Sequence, residues 1–129
     1  MVIDTSALVA ILFDEPERRR FSELIEADET RLISAATLLE ATQAIEEQRG
    51  EAAGRELDLL LHRAQVSTVA VDGEQVEVAR AAWRKYGRGR HPANLNYGDC
   101  FSYALTQVSG EPLLAKGNDF RQTDIPLVL

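Results

Sequence analysis

The sequence has 129 residues, 45% of them apolar and 27% charged, with a formal net charge of −7. That is one ordinary globular domain, large enough to bury roughly two-thirds of its unfolded surface without a disulfide or a structural metal. The single cysteine, Cys100, excludes an internal disulfide framework and fits a reducing compartment. The longest apolar run, the seven residues Ala7 to Phe13, follows Asp4 rather than a basic segment. It is far shorter than the roughly 20 residues that span a bilayer, so the reading is a cytoplasmic protein with no membrane association.

In chain order, Met1-Val2-Ile3 reads as a short strand ended by Asp4. Ser6 to Phe13 reads as a helix capped by Asp4 or Thr5. Pro16 opens a second helix with Phe21, Leu24 and Ile25 on one stripe, and Arg31 to Ser34 forms a second short strand. Ala36 to Arg49 is helical up to Gly50, and Leu57, Leu60, Leu61 and Ala64 keep helical spacing across Ala53 to Ala64. Ser67 to Val71 is a strand or an extended link. Gly73 to Tyr86 is a helix with Val76, Ala79, Trp83 and Tyr86 on one side, where Trp83 and Tyr86 are expected in the core, with an interface as the alternative. Gly87 to Asn96 is an exposed loop. Tyr97 to Ser109 is a helix with Tyr97, Phe101, Ala104, Leu105 and Val108 facing inward. Pro112 to Ala115 is a strand, Gly117-Asn118 a turn, and Leu127 to Leu129 a possible last strand. Short strands alternating with helices predict an α/β fold, with a parallel sheet covered by helices on both faces. The functional crevice of such a sheet lies at the carboxyl ends of its strands.

A net charge of −7 argues against general nucleic-acid binding. The charge is unevenly spread, however. Ala79 to Gly98 contains no acid and carries Arg80, Arg84, Lys85, Arg88, Arg90 and His91. A strip of this kind can hold a polyanion, or can simply be a solvated helix end and loop.

Asp4, Glu40, Asp99 and Asp119 fall at element junctions. Taken singly, Asp4 reads as an N-cap, and Glu40 lies on the solvated side of its helix. Asp99 reads as a first-turn acid favoured by the helix dipole, opposite the apolar stripe, and Asp119 as a turn residue. Taken together they call for more, because Asp4 and Asp119 both follow strands and share one edge of a parallel sheet, where Asp99 can meet them. Two carboxylates about 4 Å apart repel by roughly 4 kcal/mol at an effective dielectric of 20. Such a group takes up a proton or a cation, and all-oxygen ligands suit Mg²⁺ or Mn²⁺. No Cys/His arrangement suits zinc, and Cys100 reads as a small buried residue.

The stretch MVIDTSALVAILFDEPE resembles the opening of PIN domains. SAATLLEA resembles their second block, LNYGDCFSYALT the third, and PLLAKGNDF the fourth. Each block alone is weak, but the four stand in family order across nearly the whole chain, which is therefore expected to be a single PIN domain over residues 1–129. Length and the position of the first block match the stand-alone VapC toxins best. The resemblance implies a PIN-like three-layer α/β/α fold and a Mg²⁺- or Mn²⁺-dependent ribonuclease. It also implies a homodimer and a cognate VapB-type antitoxin that contributes a helix and an arginine-bearing tail.

Carried over by position, Asp4 and Asp99 are the main metal ligands, Asp119 a direct or water-mediated ligand, and Glu40 the holder of a metal-bound water or a second ion. Thr5 or Ser6 hydrogen-bonds within the site. Arg84, Lys85, Arg88, Arg90 and His91 are the candidate RNA contacts. Many relatives carry another acid where this chain has Gly117, so Asp119 supplies that corner alone, and Asp124 is left as a surface acid. The alternatives are a PIN nuclease of RNA maturation and a non-catalytic RNA- or protein-binding module. Retention of all four acids argues against the non-catalytic module.

Overall fold

Alternation along the shortest strands sets the layers. In the computed structural model, which describes residues 1–129, β1 (Val2–Ile3) is the inner strand of a four-stranded sheet. Its neighbours are β2 (Leu32–Ser34) and β4 (Leu113–Leu114), and β3 (Ser67–Val69) lies outside β2. All pairings are parallel, with Val2 in register with Leu32 and Leu113, and Ile3 with Leu114. Successive side chains of a strand point to opposite faces. Met1, Ile3, Ile33 and Leu114 therefore enter one apolar core, while Val2 and Leu113 enter the other.

The first core is closed by α1 (Thr5–Leu12), α2 (Arg18–Ala27) and α3 (Ala35–Arg63), through Leu8, Ile11, Phe21, Ile25, Ile45 and Leu57. The second is closed by α4 (Gly73–Tyr86) and α5 (Tyr97–Ser109), through Ala82, Tyr86, Tyr103 and Leu105. The predicted three-layer α/β/α architecture is thus present. No helix is long and apolar enough to cross a membrane.

Most elements fall where the sequence places them. Helical hydrogen bonding runs through α3, but Gly50 sits at φ 78°, ψ 177° and kinks it. A left-handed φ is cheap for glycine alone, so the break expected at Gly50 appears as a kink inside one long helix. The expected strand at Leu127 to Leu129 is reduced to a single bridge between Leu113 and Leu127.

Two inward stripes differ from expectation. On α5, Tyr97 is 82% exposed and Val108 is exposed as well. Gly98, Cys100, Ser102, Tyr103, Ala104, Leu105 and Thr106 are the buried residues. On α4, Tyr86 is in the core, but Trp83 and Val76 are each 40% exposed. The cause is common to both helices. They pack on each other and on the sheet, so small side chains such as Gly98, Ser102 and Thr106 occupy the tight face. The bulky apolar ones are left at the outer edge.

The chain leaves β1 toward β2 and returns on β1's other side as β4. This reversal of direction defines the crevice at the carboxyl ends of β1 and β4.

Candidate active site

Asp4 ends β1 and caps α1, and its side chain is almost fully buried. Oδ2 accepts hydrogen bonds from the Ser6 amide at 3.1 Å and the Ser6 hydroxyl at 2.7 Å. Oδ1 accepts from the Ser102 hydroxyl at 2.6 Å. Ser6 in turn accepts from the Lys116 backbone amide at 2.9 Å, which ties the site to the chain leaving β4. A buried carboxylate needs such donors, because an unsatisfied charge costs far more than the bonds cost to form. The N-cap reading of Asp4 is thus correct and incomplete, since the cap occupies one oxygen and Ser102 holds the other.

Glu40 is not on a solvated face. It is half-buried, and its Oε1 accepts the Thr5 hydroxyl at 2.6 Å. Burial is the main cause that raises its pKa, the Thr5 bond lowers it, and the nearby Asp4 charge raises it. The carboxylate lies against Gly98 at the start of α5, where any Cβ would overlap it. Glycine at 98 is therefore a matter of space, since a side chain there would displace Glu40.

Asp99 forms a capping box with Asn96. The Asn96 amide donates to Asp99 Oδ2 at 3.0 Å, and the Asp99 amide donates to Asn96 Oδ1 at 2.9 Å. Burial pushes the Asp99 carboxyl up to about 7, the Asn96 bond opposes the shift, and the charges of Asp4, Glu40 and Asp119 add to it. The four acids thus share one electrostatic neighbourhood. Asp119 is exposed just before the single 3₁₀ turn Phe120–Gln122.

Cys100 is buried, and burial followed by the Asp99 charge pushes its thiol up to about 11. It is an inert residue at neutral pH. Asp124, expected as a plain surface acid, accepts a 2.5 Å hydrogen bond from the Tyr103 hydroxyl.

The acidic donor set is all oxygen and faces a shared excess of negative charge, which is the chemistry a hard divalent cation neutralises. No three His, Cys, Asp or Glu side chains come close enough together to hold a metal ion by themselves, so the structure does not gather Asp4, Asp99 and Asp119 into one ligand set. An ion held here therefore keeps water in its shell, as Mg²⁺ ordinarily does.

Arg84, Lys85, Arg88 and Arg90 are exposed, and His91 is half-buried. Arg90 lies over the Trp83 ring at 5.3 Å and Lys85 over the Tyr86 ring at 5.0 Å. His91 meets Tyr86 edge-on and accepts the Ala93 amide on Nδ1 at 3.0 Å, so its polar edge braces the loop.

Sequence reasoning missed Ser102 and its neighbour Thr37, whose hydroxyls lie 3.3 Å apart in full burial. The available signal was the spacing Gly98, Ser102, Thr106. Small or hydroxyl residues four apart on a helix mark a face pressed against backbone.

The PIN domain profile matches residues 1–126. Ribonuclease VapC30 of Mycobacterium tuberculosis is 61% identical over 99% of this chain and 98% of its own length. Ribonuclease VapC of Mycolicibacterium smegmatis is 59% identical over 99% of both chains. The chain belongs to the PIN-domain family and, within it, to the VapC ribonucleases. Among solved structures, it resembles Mycobacterium tuberculosis VapC20, described as a sarcin-ricin loop cleaving toxin, with a TM-score of 0.78 at 18% identity. That match covers 98% of this chain and 97% of the other. VapBC2 of Rickettsia felis, bound to a DNA fragment from its promoter, gives a TM-score of 0.74 at 17% identity and covers 98% and 95%. At such identities the likeness concerns the fold.

Proposed function

We propose that this protein is a divalent-metal-dependent endoribonuclease and the toxin of a VapBC-type pair. The observation that carries the reading is Asp99, a half-buried carboxyl raised to about 7 by burial and by the charges of Asp4, Glu40 and Asp119 at the switch point of a parallel sheet. A fold with no use for that cluster would not keep a carboxyl in so unfavourable a place.

Asp4, Asp99 and Asp119 would hold the cation, Mg²⁺ or Mn²⁺, and Glu40 would hold a water or a second ion. When bound, the cation supplies charge neutralisation and an activated water for phosphodiester hydrolysis. The chain's own groups do the rest. Ser6 and Ser102 fix both Asp4 oxygens, and Thr5 fixes Glu40. Arg88 and Arg90 contact the RNA backbone, with Arg84, Lys85 and the loop braced by His91 beside them. Phosphate contacts of this kind position a strand without reading its sequence. Neutralising Arg88 and Arg90 lowers RNA affinity and flattens its salt dependence by about one unit of slope per lost contact. An unchanged slope removes them from the interface.

The partners of this reading are RNA as substrate, a second copy of the chain, and a VapB-type antitoxin. An antitoxin arginine fits the acidic crevice, since guanidinium pairs bidentately with carboxylate. The test compares wild type with Asp4→Asn and Asp99→Asn on total cellular RNA, with Mg²⁺ and with EDTA. Cleavage by wild type alone, abolished by EDTA, is the expected result. Cleavage that survives both substitutions contradicts the assignment.

A further inference from the structure

Of the four acids, Asp119 alone is not held by a donor of its own. Asp4 takes three donors, Glu40 takes the Thr5 hydroxyl, and Asp99 takes the Asn96 amide. Asp119 is exposed, precedes the turn Phe120–Gln122 and makes no side-chain cap to it. Where its carboxylate stands is therefore decided by the loop that carries it.

That loop is closed on itself. The chain leaves β4 after Leu114 and comes back to it at Pro126, whose carbonyl accepts the Leu113 amide at 2.9 Å, and Leu127 bridges to the same Leu113. Between these points residues 116–125 form no strand, and only Phe120 and Ile125 are buried. A compact loop with its ends together takes its shape from the contacts that fasten it. At its entry, the Lys116 amide donates to Ser6 Oγ at 2.9 Å, and Lys116 Nζ meets Glu15 at 3.0 Å and Glu17 at 3.3 Å. At its exit, Tyr103 Oη donates to Asp124 Oδ1 at 2.5 Å.

The exit bond is directional. The Gln107 side-chain amide donates to Tyr103 Oη at 3.2 Å, so the one hydroxyl hydrogen is left for Asp124. Burial, and then the Asp124 bond, push the Tyr103 phenol up to about 12, which keeps that hydrogen in place at neutral pH. The Tyr103 ring is buried in the second core against Tyr86. Tyr103 also follows Asp99 by four residues on α5, one turn along the same face. A single hydrogen bond thus ties the loop of Asp119 to the helix of Asp99.

We propose that Tyr103 and Asp124 are positioning residues of the ribonuclease, which set Asp119 relative to Asp99 by fastening its loop to α5. The proposal rests on Asp119 holding the cation directly or through water, as in the reading above. The carboxylates do not gather into one ligand set, so Asp119 serves an ion across a gap that its loop controls. Releasing the exit of the loop widens that gap. Neither Tyr103 nor Asp124 touches the ion or RNA.

The test is calorimetric titration with Mg²⁺ alone, without RNA, which reads the site independently of cleavage. Tyr103→Phe keeps the ring and removes the donor, Asp124→Ala removes the acceptor, and Asp124→Asn keeps an acceptor oxygen. Tyr103→Phe and Asp124→Ala are each expected to weaken Mg²⁺ binding about tenfold, as for other groups that orient a ligand. Asp124→Asn, whose bond is weaker for lack of charge, stays within about threefold of wild type. Cleavage at saturating Mg²⁺ recovers in all three, because the bond acts on affinity and not on the chemistry. In an Asp119→Asn background, Asp124→Ala adds nothing further. Circular dichroism checks the fold, and if the loss of the tyrosine hydroxyl disturbs the core, Asp124→Ala decides from its exposed position. Unchanged Mg²⁺ affinity in Asp124→Ala, or a loss that multiplies in full with that of Asp119→Asn, overturns the proposal and leaves the nuclease reading standing. An Asp119→Asn protein that binds Mg²⁺ like wild type removes Asp119 from the cation site, and the proposal falls with that part of the reading.

Discussion

The two carboxylates at the centre of the site are held in opposite ways. Asp4 has both oxygens satisfied, by the Ser6 amide and hydroxyl on one side and the Ser102 hydroxyl on the other. Asp99 takes a single backbone donor, from Asn96, and is pushed up to about 7 by burial and by three neighbouring acids. The first is a fixed anchor whose two oxygens are both held by donors. The second is a group the fold places where an anion is unwelcome without a cation. On the proposed reading, the difference divides the work of a cation site between one rigid ligand and one whose charge the ion relieves.

The comparison breaks most completely with removal of either charge. Asp4→Asn and Asp99→Asn each lower cleavage by about three orders of magnitude or more, the scale seen when a group acting directly on developing charge is lost. Next in size is Gly98→Ala, whose Cβ takes the space of the Glu40 carboxylate. Its activity falls roughly ten- to hundredfold while circular dichroism stays native, and unchanged activity would detach Glu40 from the site.

Ser102→Ala sharpens the anchor side. It frees one oxygen of Asp4 and leaves Thr37 without its hydroxyl neighbour. Metal affinity measured by calorimetry drops about tenfold, as for other groups that orient a ligand. Ser102→Cys, a weaker donor of similar size, recovers only part of it.

The smallest effect is on stability, and it belongs to Asp99. Asp99 titrates near 7 in the folded chain against 3.8 ordinarily. Between these values the native state holds more proton than the unfolded chain, so metal-free stability falls as pH rises from about 4 to about 7. Asp99→Asn removes that slope and melts a few degrees above wild type at pH 8. A wild-type profile that rises through the same window contradicts the assignment.

Much of this was legible in the sequence because it rests on short-range rules. Asp4, Asp99 and Asp119 stand where strands end or helices begin, and caps and turns announce those points locally. The parallel sheet followed from strands alternating with helices. What escaped depends on long-range placement. Glu40 looked solvated because the wheel of its own helix cannot show that Gly98, from α5, leaves room for its head. Ser102 was passed over because a serine in mid-helix carries no local signal that a carboxylate from β1 lies 2.6 Å away. The same limit misplaced Tyr97 and Trp83. Apolar periodicity finds a sticky face, and in α4 and α5 that face opens outward.

The central claim is that these acids form one cation site, and thermal melting with and without Mg²⁺ at pH 8 tests it most directly. Wild type is expected to gain several degrees in millimolar Mg²⁺, by the mass action of a ligand that binds only the folded chain. Asp4→Asn and Asp99→Asn are expected to gain little or nothing. An equal gain in all three proteins would mean that the ion binds elsewhere, and the account of the site would fall.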